Sequence, residues 1–449
     1  MNKQQRVEYF ERLLKKDPYA FMELYYKSHR EKMKVYEIDL DYLVYNPYNG
    51  RIASRVKSYE KQEGKTLNPE DTEDIRIIER FLDESSKESN KNTYESLKSQ
   101  GQLRYGIVTK DGYIIDGNRR ALLLRRVAEK KKEHPGYFLA VVLDEELHEN
   151  PKEIMRLETT FQMGEDAKVD YDPIEKYLKC QDLVDYYPGE QGIQDIAQMM
   201  GENPPEIKKY ISIMKLMEEY LEKTGNSGIY TRLNKTEGAF VDLNGYLNRY
   251  KDGKSKIVKW KYDASDLNDL KLIYFDYIRA IYNKTKGNDG DEGIMDNGDS
   301  KDYRFIGQTS KRGSFFGSKE IWEEFRDNHF ESIEPIREKF VDGDFAVDEL
   351  RQKHSDEKLD RLLEYRDEAW AKQAAPPLKR NLGQSRYRLE LKNQKEAPMD
   401  LLKRAKNTLE SIDVASKAFL EDPDVLNMVK EINSIIWDFQ KRIKHAKEV

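Results

Sequence analysis

The sequence predicts a multidomain α+β protein: a small α/β domain, an all-α helix-turn-helix domain, and a mostly helical C-terminal region. Three observations lead there. Between residues 35 and 165, short apolar runs alternate with helix-forming stretches, as mixed α/β domains require. From Pro173 onward the apolar period becomes helical, with a Gly-centred turn between two amphipathic segments. Beyond residue 226, apolar residues recur at helical spacing up to the last residues.

Taken in order, residues 1–34 read as one or two charged amphipathic helices and not as a signal peptide. Tyr36–Leu40 reads as a short strand. It runs into Asn46-Pro47-Tyr48-Asn49-Gly50-Arg51, where Asn-Pro and Asn-Gly impose turns. Residues 69–100 read as polar helix. Gly106–Thr109 and Tyr113–Ile115 form a hairpin about Asp111-Gly112, and the run Ala121–Ala128 is strongly helix-forming. Phe138–Leu143, continuously apolar, reads as a strand buried on both faces. These parts make the domain at 35–165.

The segment 166–225 carries Gly192–Gly201 followed by Glu202–Ile211. Ala197 is small where two helices cross, Gly201 permits a left-handed turn, and Pro205 suits a first helical turn. Two ordinary helices joined by a glycine turn would give the same pattern. Residues 226–374 read as mostly helical, with a flexible acidic loop near 284–303 that resembles a calcium loop but lacks regular ligand spacing. Ala375-Pro376-Pro377 is expected to break the chain, leaving 375–449 as a helical hairpin. Its apolar stripes (Leu402, Leu409, Leu426, Ile436 and Ile443 among them) read as core packing or as a dimer interface.

Composition limits the chemistry. The chain has 449 residues, 36% of them charged and 38% hydrophobic, with net charge −6. That balance argues against an indiscriminate polyanion binder but permits local recognition of DNA. No run is apolar enough to span a membrane. A single cysteine, Cys180, excludes a disulfide framework and suits a cytoplasmic location. The six histidines show no metal-ligand spacing, and Walker A and nucleophile-elbow signatures are absent.

Asp116-Gly117-Asn118-Arg119-Arg120 is the segment with most chemistry. It lies between a strand and a helix, where backbone N–H groups and the helix dipole can hold a phosphate. Gly117 allows close approach, and Arg119 or Arg120 can fork onto oxygen atoms. Asp116 as a helix cap with solvated arginines is the simpler alternative.

The order of parts then resembles the ParB family: the Asn-Pro turn, the hairpin, D-G-N-R-R, the buried strand, Asp172-Pro173-Ile174-Glu175 and the helix-turn-helix. Residues 35–225 look like a ParB/sulfiredoxin-like domain followed by a ParB-type DNA-binding domain. The resemblance implies that Gly117, Asn118, Arg119 and Arg120 hold nucleoside-triphosphate phosphates, with Asp116, Asn46 and Arg51 nearby. It places the third family motif, E-N-x-x-R, at Glu158-Thr159-Thr160-Phe161-Gln162. There Glu158 would bind Mg²⁺ or orient water, and Gln162 replaces an arginine. Asn118 stands where the family has a carboxylate linked to turnover, which favours binding over hydrolysis. The sulfiredoxin branch needs a cysteine in the turn, where this chain has Asn118. Phage-defence and DNA-modification proteins with D-G-Q-H-R turns also look similar.

The expectation is a nucleotide-regulated, ParB-like DNA-binding protein, using CTP or ATP with Mg²⁺ and forming a homodimer on double-stranded DNA. Lys208 and Lys209 would contact DNA from the second helix, and Arg125 and Arg126 would form a further basic strip with Lys130–Lys132. Two alternatives stay open. One is an NTPase or nuclease component of a bacterial DNA-modification or phage-defence system. The other is a helical scaffold with a vestigial nucleotide site, its C-terminal helices binding a protein partner.

Overall fold

The computed structural model describes every residue except 28, 132–135, 166–171, 254, 257, 285–301, 311, 312, 342–344, 397 and 449. Most of the expected acidic loop near 284–303, and Lys132 of the basic strip, lie outside the described residues. The chain divides into two compact units, Met1–Gly383 and Gln384–Val449.

The first unit opens with α1 (Lys3–Leu13), whose Asn2 and Gln5 form a reciprocal capping box. Residues 20–26 and 29–34 then depart from the expected helix, and the second stretch extends the strand expected at Tyr36–Leu40. The result is β1 (Ala20–Tyr26) and β2 (His29–Asp39), an antiparallel hairpin. Two signals outweighed the charge pattern. Asp17-Pro18 ends any helix, and Ala20–Tyr26 is β-prone with alternating burial. β2 also gains a second partner, pairing Val35 with Val141 and Ile38 with Phe138.

The next seven α-helices and strands build most of the site's frame. α2 (Ala53–Glu63), α3 (Thr72–Glu84) and α4 (Lys87–Gln100) precede β3 (Gly106–Val108) and β4 (Ile114–Asp116), which are followed by α5 (Asn118–Lys131) and β5 (Tyr137–Val142). The sheet order is β1-β2-β5-β3-β4, with β3 and β5 parallel and the other pairs antiparallel. Both faces are covered. Val108, Ile114, Phe138 and Ala140 join one core with Phe10, Ile78 and Leu122. Their strand neighbours Ile107, Ile115 and Val141 join the other with Leu24, Ile154 and Leu157. Alternation across the pleat thus explains the continuous apolar run at Phe138–Leu143.

Helices follow: α6 (Pro151–Thr159), which continues as a π-helical turn over Thr160–Glu165, then α7 (Pro173–Tyr186), α8 (Gly189–Met200) and α9 (Pro204–Lys223). Gly201 takes φ 65°, which closes α8 in the left-handed region, and Asn203 caps α9. Cys180, Leu183, Ile196, Ala197 and Ile207 form the core of this three-helix part. Burial pushes the Cys180 thiol up to about 12, so it is an unreactive packing group.

α10 (Glu237–Lys251), α11 (Ala264–Lys284), α12 (Lys319–Val341) and α13 (Val347–Lys353) lead to α14 (Leu359–Glu396). Their core is aromatic, with Trp322, Phe315, Tyr274, Tyr277 and Trp370 fully buried. The expected break at Ala375-Pro376-Pro377 does not occur. α14 runs through both prolines. An interior proline costs roughly 3 kcal/mol, but Trp370, Ala374, Leu378 and Leu382 are all buried around it, and each large apolar side chain returns about 1.5–3 kcal/mol.

The second unit holds the end of α14, then α15 (Pro398–Glu410), α16 (Lys417–Glu421) and α17 (Pro423–Glu448). Leu402, Leu426, Ile436 and Ile443 are exposed, and Trp437 is 63% exposed. Within this unit the apolar stripes of the tail, among the described residues, are exposed and form no core. No helix among the described residues is long and apolar enough to cross a membrane.

Candidate functional site

A cleft of about 400 Å³ opens at the β4–α5 junction. Its walls come from the 46–51 turn, α4, the loop before β3, the junction itself and the π-helical turn after α6. Among the described residues four arginines line it, Arg51, Arg104, Arg119 and Arg120, against a single carboxylate, Asp116. α4 adds Asn92, Thr93 and Ser96 from one helical face. The first hydrogen bond of α5 runs from the Ala121 N–H to the Gly117 carbonyl. The N–H groups of residues 118–120 therefore have no partner in the helical ladder, and the positive end of the helix dipole faces the cleft. Such a surface attracts an anion.

Within this frame each expected residue has a definite position. Gly117 takes φ 111°, and a Cβ there would come within 2.6 Å of the Phe138 ring. Gly106, on the neighbouring strand, would meet the same ring at 2.3 Å. Glycine at 117 is thus demanded by packing as well as by the turn.

Asn118 is buried and acts as a side-chain peptide. Its Nδ2 donates to the Asn46 carbonyl at 2.8 Å, and its Oδ1 accepts from the Asn46 N–H at 3.2 Å. A carboxylate could make only the second of these bonds. The amide therefore staples the Asn-Pro turn to the start of α5. Asn46 in turn accepts from Tyr48 N–H, and Asn49 from Arg51 N–H, which fixes the turn that presents Arg51.

Arg120 bends back instead of reaching outward. It pairs with Asp116, one turn away, and donates to the carbonyls of Arg104 and Tyr105. Asp116 thus anchors Arg120 rather than standing apart as a helix cap.

Glu158 is buried. Its Oε1 accepts from the Gly50 N–H at 3.2 Å, and its Oε2 takes a 2.7 Å bond from Lys179 Nζ, itself buried on α7. Both oxygens are committed to the fold. Gln162 is buried too, donating to the Ile115 carbonyl at 3.0 Å. Among the described residues no group of three His, Cys, Asp or Glu side chains could hold a metal ion. The donors present do not fit a protein-held Mg²⁺ at Glu158.

α7 ties this site to the helices that follow. Glu175, Lys179 and Asp182 share one face at i, i+4 and i+7. Glu175 accepts from the Ser54 N–H and hydroxyl, Lys179 meets Glu158, and Asp182 meets Lys57 at 2.7 Å. Glu175 therefore caps α2, whose own N-cap residue, Ile52, cannot. Burial raises its carboxyl pKa from 4.5 to about 7, against the lowering effect of the Ser54 hydrogen bonds. Sequence reasoning missed Lys179, Ser54 and the polar face of α4. The charged i, i+4, i+7 set on α7 was the available signal.

The residues expected to meet DNA lie elsewhere. Lys208 pairs with Glu190 at 2.8 Å and Lys209 with Glu206 at 3.1 Å, both on the exposed face of α8 and α9. Arg125 donates to the carbonyls of Leu40 and Leu43 and lies over Tyr45. Arg126 pairs with Asp83. None of the four lines the cleft.

No known protein family's profile matches this chain, and no curated protein matches it. Among solved structures it is similar to the C-terminally truncated chromosome-partitioning protein ParB from Caulobacter crescentus complexed with CTP-gamma-S. Identity is 13%, coverage is 47% of this chain and 92% of that one, and the TM-score is 0.17. A likeness of that size does not establish a common fold.

Proposed function

We propose that this protein binds a nucleoside triphosphate in the arginine-lined cleft and uses it to set the DNA-binding state of the α8–α9 pair, in the manner of a ParB-like switch. One observation carries the reading: four arginines and the start of α5 converge on a cleft that holds, among the described residues, a single carboxylate. Arg51 and Arg119 are the phosphate contacts of this proposal, with CTP or ATP as the ligand. Arg120 would support them from its pairing with Asp116.

Binding is favoured over turnover. Asn118 cannot act as a base, and both Glu158 oxygens are already engaged. Magnesium would arrive with the nucleotide, and no step of the proposal runs through it. α7 supplies the route between sites, because its face holds both the 46–51 turn and α2. DNA binding through Lys208 and Lys209 would require both lysines to leave their glutamate partners.

Calorimetric titration of CTP, ATP and GTP, with and without duplex DNA, tests the reading. Wild type should bind one of them, and Arg119→Ala should weaken that binding by at least tenfold with little phosphate release in either protein. Absence of binding by wild type would reject the nucleotide switch. Separately, Lys208→Ala/Lys209→Ala should lower DNA affinity and flatten its salt dependence; unchanged affinity would reject α9 as the reader.

A second reading rests on the tail. The exposed apolar residues of α15 and α17 support contact with a second copy or a protein partner. Analytical ultracentrifugation of wild type and Trp437→Ser tests self-association directly.

A further inference from the structure

A second basic cleft, of about 450 Å³, lies between α2, α3, the turn Tyr230–Leu233 with the two residues after it, and the start of α14. It shares no lining residue with the first. Among the described residues five cations face it, Arg55, Arg80, Arg232, Lys235 and Lys358, against two carboxylates, Glu63 and Asp360.

How those charges are satisfied is the informative part. Arg55 is paired with Glu84. Arg232 is only 3% exposed; it donates through Nη2 to the carbonyl and carboxylate of Asp360, and its Nη1 lies 3.8 Å from the Asp367 carboxylate. Its Nε is buried with no acceptor, although a buried polar group without a partner costs about 1–3 kcal/mol. Arg80, Lys235 and Lys358 are exposed and have no ion-pair partner among the described residues, and Arg80 lies over the Phe81 ring. Lys235 also holds φ 66°, a conformation that a residue with a long side chain rarely adopts. Cations without a carboxylate partner, gathered at one concave place beside a residue held in the left-handed region, present an anion with several donors at once. Ser58 and Thr231 already bond each other across the cleft, which fixes α2 against the turn. Tyr59 and Phe81 give it an apolar wall.

We propose that this cleft binds a small phosphorylated molecule bearing at least a diphosphate. The charge excess matches two or more negative groups, and the volume matches a ligand of mononucleotide size rather than a polymer. Arg232 forms the floor, and Lys235, Lys358 and Arg80 close on the phosphate oxygens. The site is independent of the ligand of the first cleft.

Pyrophosphate titrated into the full-length protein, followed by calorimetry, tests this. Lys235→Asn/Lys358→Gln should weaken one class of binding by tenfold or more, since asparagine tolerates the left-handed backbone. Arg80→Gln should weaken the same class several-fold, and serves if the double variant fails to fold. Arg119→Ala should leave that class intact, so failure at the first cleft remains distinguishable. The proposal is overturned if wild type binds no pyrophosphate at millimolar concentration, or if Arg119→Ala removes all binding. It is equally overturned if the folded Lys235, Lys358 and Arg80 variants bind as wild type does. Binding of duplex DNA that depends on Lys235 and Lys358, without pyrophosphate binding, would reassign the cleft to nucleic acid and also overturn it.

Discussion

The inner face of α7 and the outer face of α9 carry the same kinds of charged residue, put to opposite uses. On α7, Lys179 and Glu175 are buried and each closes a contact with a distant element. On α9, Lys208 and Lys209 are about half exposed and pair with nearby glutamates. The difference teaches that a lysine's meaning depends on what desolvates it. A buried pair is costly to break because one charge is left stranded, whereas an exposed pair is screened by water and salt.

That contrast can be broken in four ways, in falling order of effect. Lys179→Met should destabilise the protein by roughly 3–5 kcal/mol, because Glu158 remains buried without its counter-charge. Adding Glu158→Gln should recover most of the loss. Chemical denaturation of both variants measures this, and an additive loss would show that the pair is not coupled.

Glu175 should make stability pH-dependent. Its folded pKa of about 7 lies above the ordinary 4.5. The protonated form therefore stabilises the fold, fully below about 4.5, and this contribution fades as pH rises through about 7. The span is about 3 kcal/mol. Glu175→Gln should remove that slope and be more stable than wild type at pH 8. Parallel pH curves for the two proteins would refute the assignment.

Asn118→Asp should cost about 2 kcal/mol, since it strands the Asn46 carbonyl and buries a charge. Thermal melts read the loss; a rise in nucleotide hydrolysis in the same variant would show that a carboxylate at this position can be catalytic. Smallest of all, Lys208→Ala/Lys209→Ala should change stability by less than about 1 kcal/mol. A larger loss would mean that the outer face of α9 is as structural as the inner face of α7.

Much of the candidate site was legible locally. Asp116–Arg120 does sit between a strand and a helix, because turn and helix signals at Asp111-Gly112 and Ala121–Ala128 are short-range. Gly201 ends α8 as its left-handed preference requires. What each side chain does there was not legible. Asn118 and Asn46 are far apart in sequence, and so are Glu158 and Gly50. Neither spacing carries a periodic signal. Glu158, expected to bind Mg²⁺ or orient water, is instead a buried bracket between Gly50 and Lys179.

The sequence alone determined the alternation of strand and helix around the cleft, the turn glycines and the amphipathic faces of α8 and α9, because these follow from backbone preference and apolar period. Only the tertiary structure decided which arginines meet in the cleft, that Arg120 turns back to Asp116, and that two prolines pass through the middle of α14. It also decided that residues 20–26 and 29–34 are strand and that β2 pairs with β5. Apart from the Arg120–Asp116 pair, which spans one turn, the deciding energy comes from burial and hydrogen bonds between residues distant in the chain, and that energy exceeds the local preference opposing it.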